Sequence, residues 1–350
     1  MLRLFQALAC RSRHIAICRA AHNVASHTVK KSIGIAGAGQ IGSVVAIHLL
    51  KAGHSVKICD PCQTNADRLV QQGATWVDTP YESATSVDVF ITAVPGPPQV
   101  RDVMEGENGA LQALKKGSCW IDHTTTDANE SKRLSSLAET NGVSMLEAPL
   151  TGGHELLKEG KMTVMVGGCP GVLASHTELM HTYAMNVLHM GPVGAASVVK
   201  VISNMLCAVH TVITGEAIML AKKHNLDLTN FFHGIRASAG NSFVFETEAP
   251  LVFNGSHDPG FTLALHCKDL DLGHQLAKEK DVPLEVMGLV EQIYRRAMFK
   301  YGADAGSSHP ATLLQDDLNL PLQIDGFEDW TYSVEKVEGG GIGIVHKHKN

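Results

Sequence analysis

The sequence predicts an α/β protein in which a doubly wound parallel sheet is followed by an all-helical domain. Two patterns support this fold class. Between residues 32 and 191 short apolar runs alternate with helical periodicity, which is typical of parallel strands joined by helices. From Gly194 an apolar helical pattern runs to about His224, and helical periodicity then prevails to about Lys300. We therefore expect one long helix to join the two domains.

The stretch from Ser32 to Asp60 reads as a complete dinucleotide-binding βαβ unit of the Rossmann type. Its turn and the start of its helix comprise Gly37, Gly39, Gln40, Ile41 and Gly42. Gly37 would make the tight turn, Gly39 would let the backbone approach a pyrophosphate, and Gly42 would let the helix pack on the strand. The N-terminus of that helix offers N–H groups and a positive dipole end to the phosphates.

The residue at the end of the second strand indicates which dinucleotide binds. Asp60 stands there, and a carboxylate at this point can accept hydrogen bonds from both ribose hydroxyls. It would repel a 2′-phosphate, and the following Pro61 offers no positive charge to bind one. The sequence therefore favours NAD over NADP.

The N-terminus is basic. Six Lys or Arg residues precede Ser32, and no acidic residue occurs before Asp60. We predict that residues 1–30 are a mitochondrial transit peptide and that the protein resides in the matrix, the alternative being a basic N-terminus with no targeting role. The whole chain nevertheless has a net charge of −6, so the folded part is acidic and nucleic acid is disfavoured as a partner.

The eight cysteines show no metal-ligand spacing, and no metal site is predicted. Cys59 and Cys62 have CxxC spacing, but Cys59 ends a strand, whereas a redox pair would sit at a helix N-terminus. We interpret them as ordinary thiols.

No membrane-spanning segment is predicted. The most apolar stretch, Val201–Ala221, carries Asn204, His210 and Glu216, which are expensive in lipid. A long buried helix fits it better.

The pattern also predicts the domain organisation. The NAD-binding domain would cover residues 31–191, and a helical substrate and dimerisation domain would cover residues 192–320. Within the first, we expect a helix over Leu111–Lys116 and another capped by Asp127. Residues 321–350 are assigned to a C-terminal tail of unknown role. Its end, from Gly339 to Asn350, has a linker-like, charged composition and is interpreted as a frayed terminus, the alternative being a metal-binding role for His346 and His348.

The residues that could carry chemistry follow strands or lie on the long helix. Asp122–Thr126 and Ala148–Gly153 each follow a strand, where ligands bind in open α/β folds, although either could be an ordinary turn. Lys200 and Asn204 are four residues apart and share a helix face in apolar surroundings. A partly buried lysine has a lowered pKa and can accept an alcohol proton, whereas a surface lysine would merely extend into solvent.

These residues together resemble the β-hydroxyacid dehydrogenase family. The likeness runs from about residue 32 to about residue 302. It rests on five motifs in order: GAGQIG at 37–42, DHTT at 122–125, EAPLTGG at 147–153, GAASVVKVISN at 194–204 and FTLALHCKDL at 261–270. Five ordered matches are far more specific than any one of them.

The resemblance implies a role for each matched position. Lys200 would be the catalytic lysine, and Asn204 would be its companion on the substrate. The substrate carboxylate would be held by Thr151, Gly152 and Gly153. The cofactor would be lined by Val94, Pro95, Gln99 and Thr125, and reached from the helical domain by Lys268. The implied reaction is NAD-dependent oxidation of a short 3-hydroxy acid, such as 3-hydroxyisobutyrate, to its semialdehyde by a homodimer or homotetramer.

Several positions depart from the family pattern near the substrate. They are Thr124 and Thr151 where the family usually has Ser, Glu155-Leu156 for a Gly-Ala pair, Ala196 for Gly and Ser203 for Asn. These changes leave the reaction class intact and bear on the substrate, since one methyl group alters discrimination by about 1–3 kcal/mol.

Alternative functions remain open on the sequence. An NADPH-dependent semialdehyde or glyoxylate reductase is opposed by Asp60. A 6-phosphogluconate dehydrogenase would have His at Ser203, and an imine reductase would usually lack Lys200. A non-catalytic NAD-binding protein would need neither Lys200 nor Asn204.

Overall fold

The computed structural model describes residues 29–257, 260–338 and 341–348. Twenty-eight of the thirty residues of the predicted transit peptide, 1–30, lie outside the described residues. The strands are β1 (Ser32–Ala36), β2 (Ser55–Cys59), β3 (Thr75–Trp76), β4 (Val89–Thr92), β5 (Cys119–Asp122), β6 (Ser144–Glu147), β7 (Leu150–Thr151), β8 (Met162–Gly168), β9 (Ala184–Gly191), β10 (Trp330–Lys336) and β11 (Ile342–His348).

The α-helices alternate with the strands up to β9 and then follow one another. They are α1 (Gln40–Lys51), α2 (Asp67–Gln71), α3 (Pro80–Ala84), α4 (Pro97–Glu105), α5 (Ala128–Thr140), α6 (His154–Lys158), α7 (Pro170–Met180), α8 (Ala195–Lys223), α9 (Leu228–Arg236), α10 (Phe243–Asn254), α11 (Leu263–Glu279), α12 (Glu285–Tyr301) and α13 (Leu313–Asp317).

The sheet confirms the predicted doubly wound arrangement. Strands β1 to β6 pair in parallel in the order β3-β2-β1-β4-β5-β6, so the strand order reverses beside β1. Every residue of β4 and β5 is buried, as expected of strands covered on both faces. The far edge differs from the prediction, because β8 pairs antiparallel with both β6 and β7 while β9 runs parallel to β8.

The helical part begins with the predicted long helix. The last sheet strand ends at Gly191, and α8 runs from Ala195 to Lys223 and packs against β8, β9 and the helices α10, α11 and α12. We propose the boundary between the two domains in this connection. From Lys31 onward the chain forms one compact unit, so the two parts share a common core.

Among the described helices, α8 is the one long and apolar enough to cross a membrane by length and composition. It carries the buried polar residues Asn204, Thr211 and Thr214 and packs on both sheet and helices. A core helix fits these contacts better than a membrane span.

The structure confirms one local prediction in the sheet domain and contradicts another. Asp127 caps α5 as expected, accepting hydrogen bonds from the backbone N–H groups of Asn129 and Glu130. The helix predicted over Leu111–Lys116 is wrong, because that region contains only a 3₁₀ turn at Ala110–Gln112. The α-helix lies earlier, at Pro97–Glu105, where two prolines favour a helix start.

The prediction of a frayed terminus over residues 339–350 is wrong for Ile342–His348, which form a strand. Strands β10 and β11 form an antiparallel hairpin, hereafter the C-terminal hairpin, in register from Trp330 opposite His348 to Lys336 opposite Ile342. Trp330, Tyr332 and Val334 alternate along β10 and are buried in the main core. Ser333, on the opposite face, is buried as well, so β10 is part of the folded core and is not a linker.

A buried carboxylate joins the sheet to α8. Glu147 ends β6 and is 1 % exposed. Its carboxylate accepts hydrogen bonds from the backbone N–H of Ala196 and from the hydroxyl of Ser197, each at 2.7 Å. Burial raises the pKa of Glu147, while these donors act in the opposite direction. Because unpaired N–H groups and the positive dipole end meet at a helix N-terminus, this contact fixes α8 one turn before Lys200.

Candidate active site

A cleft of about 1410 Å³ opens between the carboxyl ends of the strands and the helical domain. It lies where the strand order reverses, which is the usual ligand position in open α/β sheets. The predicted residues that line it are Gly37, Gly39, Gln40, Ile41, Asp60, Val94, Pro95, Gln99, Thr125, Thr151, Gly152, Gly153, Lys200, Asn204 and Lys268. Gly42 does not line the cleft. The fold therefore brings residues from five separate motifs to one site.

The three glycines of the first turn meet different constraints. Gly37 has a φ of +103°, and a Cβ on it would lie 2.3 Å from the Ala93 carbonyl oxygen. A Cβ on Gly42 would lie 1.9 Å from the Gly37 carbonyl oxygen. Gly42 therefore packs against the turn and does not line the cleft. Gly39 faces open space, with nothing within 4 Å of its Cβ position. The room at Gly39, beside the N-terminus of α1, fits a pyrophosphate.

Asp60 already has protein partners. One oxygen accepts a hydrogen bond from the Ala38 N–H at 2.7 Å, and the other accepts from the Cys62 N–H and the Asn65 amide, each at 2.9 Å. A carboxylate offers about four acceptor positions, so one remains for a ribose hydroxyl. If Asp60 accepted hydrogen bonds from both ribose hydroxyls, as the sequence suggests, one of these three protein donors would be displaced.

Lys268 ties the helical domain to the cofactor side of the sheet. Its ammonium group donates to the carbonyl oxygens of Pro95 at 2.8 Å and Thr125 at 2.9 Å, and lies 2.9 Å from a carboxylate oxygen of Asp269. Pro95 and Thr125 follow β4 and β5. These contacts bring the predicted cofactor residues of both domains together.

The predicted carboxylate-binding turn lies between β7 and α6. Gly152 and Gly153 have φ values of +130° and +86°, which favour glycine at both positions. Thr151 ends β7 immediately before them. Among the residues that the structure describes, none accepts the N–H of Gly153. The turn can therefore offer a backbone donor to an anion.

Lys200 and Asn204 meet on α8 as their spacing predicts. The Lys200 ammonium donates to the Asn204 side-chain oxygen at 3.0 Å, and the Asn204 amide donates to Asp269, which is 1 % exposed. Asp269 in turn pairs with Lys268. A chain of polar contacts thus runs from Lys200 through Asn204 and Asp269 to Lys268, and it holds Lys200 in one orientation.

The surroundings of Lys200 favour its neutral form. Burial lowers the pKa of Lys200 below its ordinary value, and the negative charge of Asp269 acts in the opposite direction. A lysine with a lowered pKa can be deprotonated near neutral pH and so accept a proton.

Two histidines near this chain are unsuited to the same task. Burial lowers the pKa of His123 and of His266 to about 4 each. His123 is held between the Ala148 carbonyl and the Tyr183 hydroxyl, and His266 contacts the Asn204 carbonyl. Both are neutral supports for the site at physiological pH.

The cysteines behave as the sequence suggests. Cys59 is buried and burial raises its pKa to about 12, whereas Cys62 is exposed and contacts Thr64. Neither lies at the N-terminus of an α-helix. Within the described part of the chain, no group of three or more His, Cys, Asp or Glu residues could hold a metal ion.

Sequence reasoning missed three contributors to the site. Asp269 was visible only as the neighbour of Lys268, although an acid that follows the mostly apolar run LALHC is a signal of a buried partner. Glu147 acts through α8, which the sequence places 48 residues later. Tyr332 comes from the C-terminal hairpin and lines the cleft with Trp330.

Comparison with known proteins shows to which family the chain belongs. Residues 32–191 match a family model described as the NAD binding domain of 6-phosphogluconate dehydrogenase, and residues 194–314 match one described as NAD-binding of NADP-dependent 3-hydroxyisobutyrate dehydrogenase. The chain is 31 % identical over 273 residues to mitochondrial 3-hydroxyisobutyrate dehydrogenase of Mus musculus, covering 76 % of this chain and 82 % of the relative. It is 30 % identical over 269 residues to 2-(hydroxymethyl)glutarate dehydrogenase of Eubacterium barkeri, covering 76 % and 89 %.

This chain belongs to the β-hydroxyacid dehydrogenase family. A solved structure of 3-hydroxyisobutyrate dehydrogenase from Mycobacterium tuberculosis with L-serine has a TM-score of 0.75 and 27 % identity, covering 82 % of this chain and 100 % of that one. The activity these relatives have in common is hydroxyacid oxidoreduction, and that reaction class is therefore supported for this β-hydroxyacid dehydrogenase.

The departures of this β-hydroxyacid dehydrogenase from the family pattern have structural counterparts. Leu156 is buried, and its side chain lies 3.0 Å from the Cβ position of Gly152, against the carboxylate-binding turn. Ala196 is buried where its N–H meets Glu147. Ser203 and Thr151 both line the cleft. Most of the differences thus surround the substrate end of the cleft.

A substitution at Gly39 tests cofactor binding without disturbing the fold. In Gly39→Ala the added methyl meets no protein atom, and the local φ of −71° suits alanine. We expect a normal unfolding transition and a dinucleotide affinity at least about tenfold weaker, since the methyl occupies the pyrophosphate position. Fluorescence titration with NADH measures this. Gly234→Ala, also in open space but on α9, is the matched control and should bind as the wild type does. Equal affinity in all three proteins would contradict a pyrophosphate at Gly39.

Proposed function

We propose that this protein oxidises a short 3-hydroxy acid, of the 3-hydroxyisobutyrate type, to its semialdehyde with NAD. The observation that carries the proposal is a half-buried, oriented lysine, Lys200, in the same cleft as the predicted dinucleotide-binding turn. The names of the similar proteins support the reaction class. The proposal further assigns NAD as cofactor and a 3-hydroxy acid as substrate.

The residues present fit a dinucleotide. Open space at Gly39, the N-terminus of α1 and the remaining acceptor position on Asp60 suit a pyrophosphate and a ribose. Val94, Pro95, Gln99 and Thr125 would line the nicotinamide half, with Lys268 beside them. When bound, NAD supplies the hydride acceptor for the alcohol carbon.

The chain supplies positioning and proton transfer. Thr151, Gly152 and Gly153 would hold the substrate carboxylate through hydroxyl and backbone donors. Neutral Lys200 would accept the proton of the substrate hydroxyl as the carbon loses hydride, and Asn204 would keep its amine aimed at that oxygen. In the reverse direction the Lys200 ammonium would return the proton. Orientation and a fixed polar environment are expected to contribute most of the rate.

A second candidate concerns the cofactor and the direction of the reaction. The description of the family model for residues 194–314 names an NADP-dependent enzyme, which favours an NADPH-dependent semialdehyde or glyoxylate reductase. Asp60 opposes this, because its carboxylate would repel a 2′-phosphate, and its partners Cys62 and Asn65 carry no positive charge. A non-catalytic NAD-binding protein would leave the Lys200–Asn204–Asp269 chain without a purpose.

We propose that the protein is a homodimer, or a homotetramer built from it. Five exposed apolar side chains lie along one face of α8: Val199, Ile202, Leu206, Ile213 and Leu220. Exposed apolar side chains that share a helix face favour an association site. Sedimentation velocity should give a multiple of the 37.5 kDa chain mass, and a monomer would contradict the proposal.

We also propose a mitochondrial location. The basic, acid-free N-terminus supports it, as does the name of the mouse relative. Full-length protein should enter isolated mitochondria and protein lacking residues 1–30 should not. Equal uptake of the two would contradict a targeting role.

The reaction is tested with a panel of acids. NADH absorbance is followed for wild type and Lys200→Met with 3-hydroxyisobutyrate, 3-hydroxypropionate, serine and glycerate, using NAD⁺ and NADP⁺ in parallel. We expect turnover of at least one acid with higher kcat/KM for NAD⁺, and a loss of at least about 10²-fold in the variant. The variant should still bind NADH. Turnover that survives in Lys200→Met contradicts the role of Lys200, and higher kcat/KM for NADP⁺ contradicts the NAD assignment.

The pH dependence of oxidation tests the electrostatics of Lys200. Lys200 must be deprotonated to accept a proton, so kcat/KM for oxidation should rise with pH and level off above its pKa. Asp269 raises that pKa, and Asp269→Asn should therefore move the rising limb to lower pH by about one unit. Asp271→Asn is the control, since that exposed carboxylate pairs with Arg295. A shift to higher pH, or equal shifts in both variants, would contradict the assignment.

A further inference from the structure

The C-terminal hairpin forms one wall of the cleft, although it lies beyond the regions that match the family models, which end at residue 314. Trp330, Thr331, Tyr332 and Ile342 all contribute to the lining. The match to the M. tuberculosis structure includes all of that chain and 82 % of this one. The hairpin therefore lies outside the regions matched by the family models but beside the candidate active-site cleft.

The hairpin contacts the carboxylate-binding turn through one hydroxyl group. Tyr332 donates a hydrogen bond from its hydroxyl to the Gly152 carbonyl oxygen at 2.8 Å. In a trans peptide the C=O and the following N–H point in opposite directions, and the described chain contains no cis peptide. By holding the Gly152 carbonyl, Tyr332 thus also sets the direction of the Gly153 N–H.

The same hydroxyl restricts the residue at position 153. A Cβ on Gly153 would lie 2.6 Å from the Tyr332 hydroxyl oxygen. Together with its φ of +86°, this contact leaves room for glycine alone. The turn and the hairpin are therefore fitted to each other at atomic distance.

The hairpin is anchored to both domains. On the sheet side, Glu159 accepts from Ser333 and pairs with Lys347 at 2.9 Å and Lys161 at 3.0 Å. Burial tends to raise the pKa of Glu159, but these three partners hold it at about 2. Glu159 is therefore ionised at any physiological pH, and its anchoring contacts do not depend on pH in that range.

On the helical side the anchor is a histidine between two partners. Trp330 donates from its indole N–H to His346 Nδ1 at 3.0 Å, and His346 Nε2 lies 2.9 Å from Glu246 of α10. Glu246 also pairs with Arg236 of α9 at 2.9 Å. Held at both ends, the hairpin presents Tyr332 to the turn in a fixed position.

Aromatic rings form the surface next to the turn. Tyr332 stacks on Trp330 with centroids 5.6 Å apart, and Phe243 of α10 meets the Tyr332 ring edge to face at 6.0 Å. All three residues line the cleft. These ring contacts hold the Tyr332 side chain against the turn.

We propose that the C-terminal hairpin positions the substrate-binding part of the cleft. Tyr332 acts as a positioning residue that orients the carboxylate-binding turn. This inference rests on the proposed function, since it takes the turn to bind the substrate carboxylate.

The test compares Tyr332→Phe, which removes only the hydroxyl, with Tyr301→Phe as matched control, because Tyr301 donates to Asp316 and does not line the cleft. We expect Tyr332→Phe to raise KM for 3-hydroxyisobutyrate about tenfold, with kcat within about twofold of the wild type, the range expected for one hydrogen bond. KM for NAD⁺ and the melting temperature should not change. A merely structural role would instead alter both KM values or the melting temperature.

A binding measurement separates this inference from the proposed reaction. Isobutyrate is titrated calorimetrically into each protein in the presence of NADH, and we expect Tyr332→Phe to bind it about tenfold more weakly than wild type and Tyr301→Phe. If wild type oxidises no acid but shows this pattern, the role of the hairpin stands and the proposed reaction fails. If wild type oxidises the acid while Tyr332→Phe keeps both its KM and its affinity, the reaction stands and the inference fails. Absence of isobutyrate binding to wild type also overturns the inference.

Discussion

The site depends on one buried carboxylate. Glu147 lies at the end of β6, and the first turn of α8 hydrogen-bonds to it. This contact joins the sheet, which carries the dinucleotide turn, to the helix that carries Lys200 and Asn204. A buried acid is expensive unless its oxygens are paired, and the N-terminus of a helix supplies donors that have no other intrahelical partner. The N–H and O–H donors at the start of α8 offset the cost of burying the Glu147 carboxylate. The same contact sets the position of the helical domain relative to the sheet.

From this junction the polar contacts extend across the cleft. Lys200, Asn204, Asp269 and Lys268 form a chain that begins on α8 and ends on the carbonyl groups of Pro95 and Thr125. Each member is held by its neighbour, so the amine of Lys200 has little freedom to turn away. Such preorganisation matters more to catalysis than the number of contacts, because orientation is established before the substrate arrives.

Local signals explain what could be predicted from the sequence. The turn at Gly37 to Gly42 and the spacing of Lys200 and Asn204 are contained in short segments whose geometry follows from helix and strand periods. Asp269 and Tyr332 were not predicted as site residues, because their partners lie 65 and 180 residues away in the chain. The C-terminal hairpin was misread because Gly339–Gly341 resembles a linker, and the alternation of Trp330, Tyr332 and Val334 gains its meaning only from the core it meets.

The glycines of the first turn differ in the reason for which each position needs a glycine. Glycine is required at positions 37 and 42 by neighbouring protein atoms, whether or not a nucleotide is present. At position 39 the protein itself imposes no such requirement, and a demand for glycine there would come from the proposed cofactor. A descendant that kept this fold but abandoned its cofactor would keep glycine at 37 and 42 and would be free to acquire a side chain at 39. Position 39 therefore distinguishes working members of such a lineage from those that retain only its architecture.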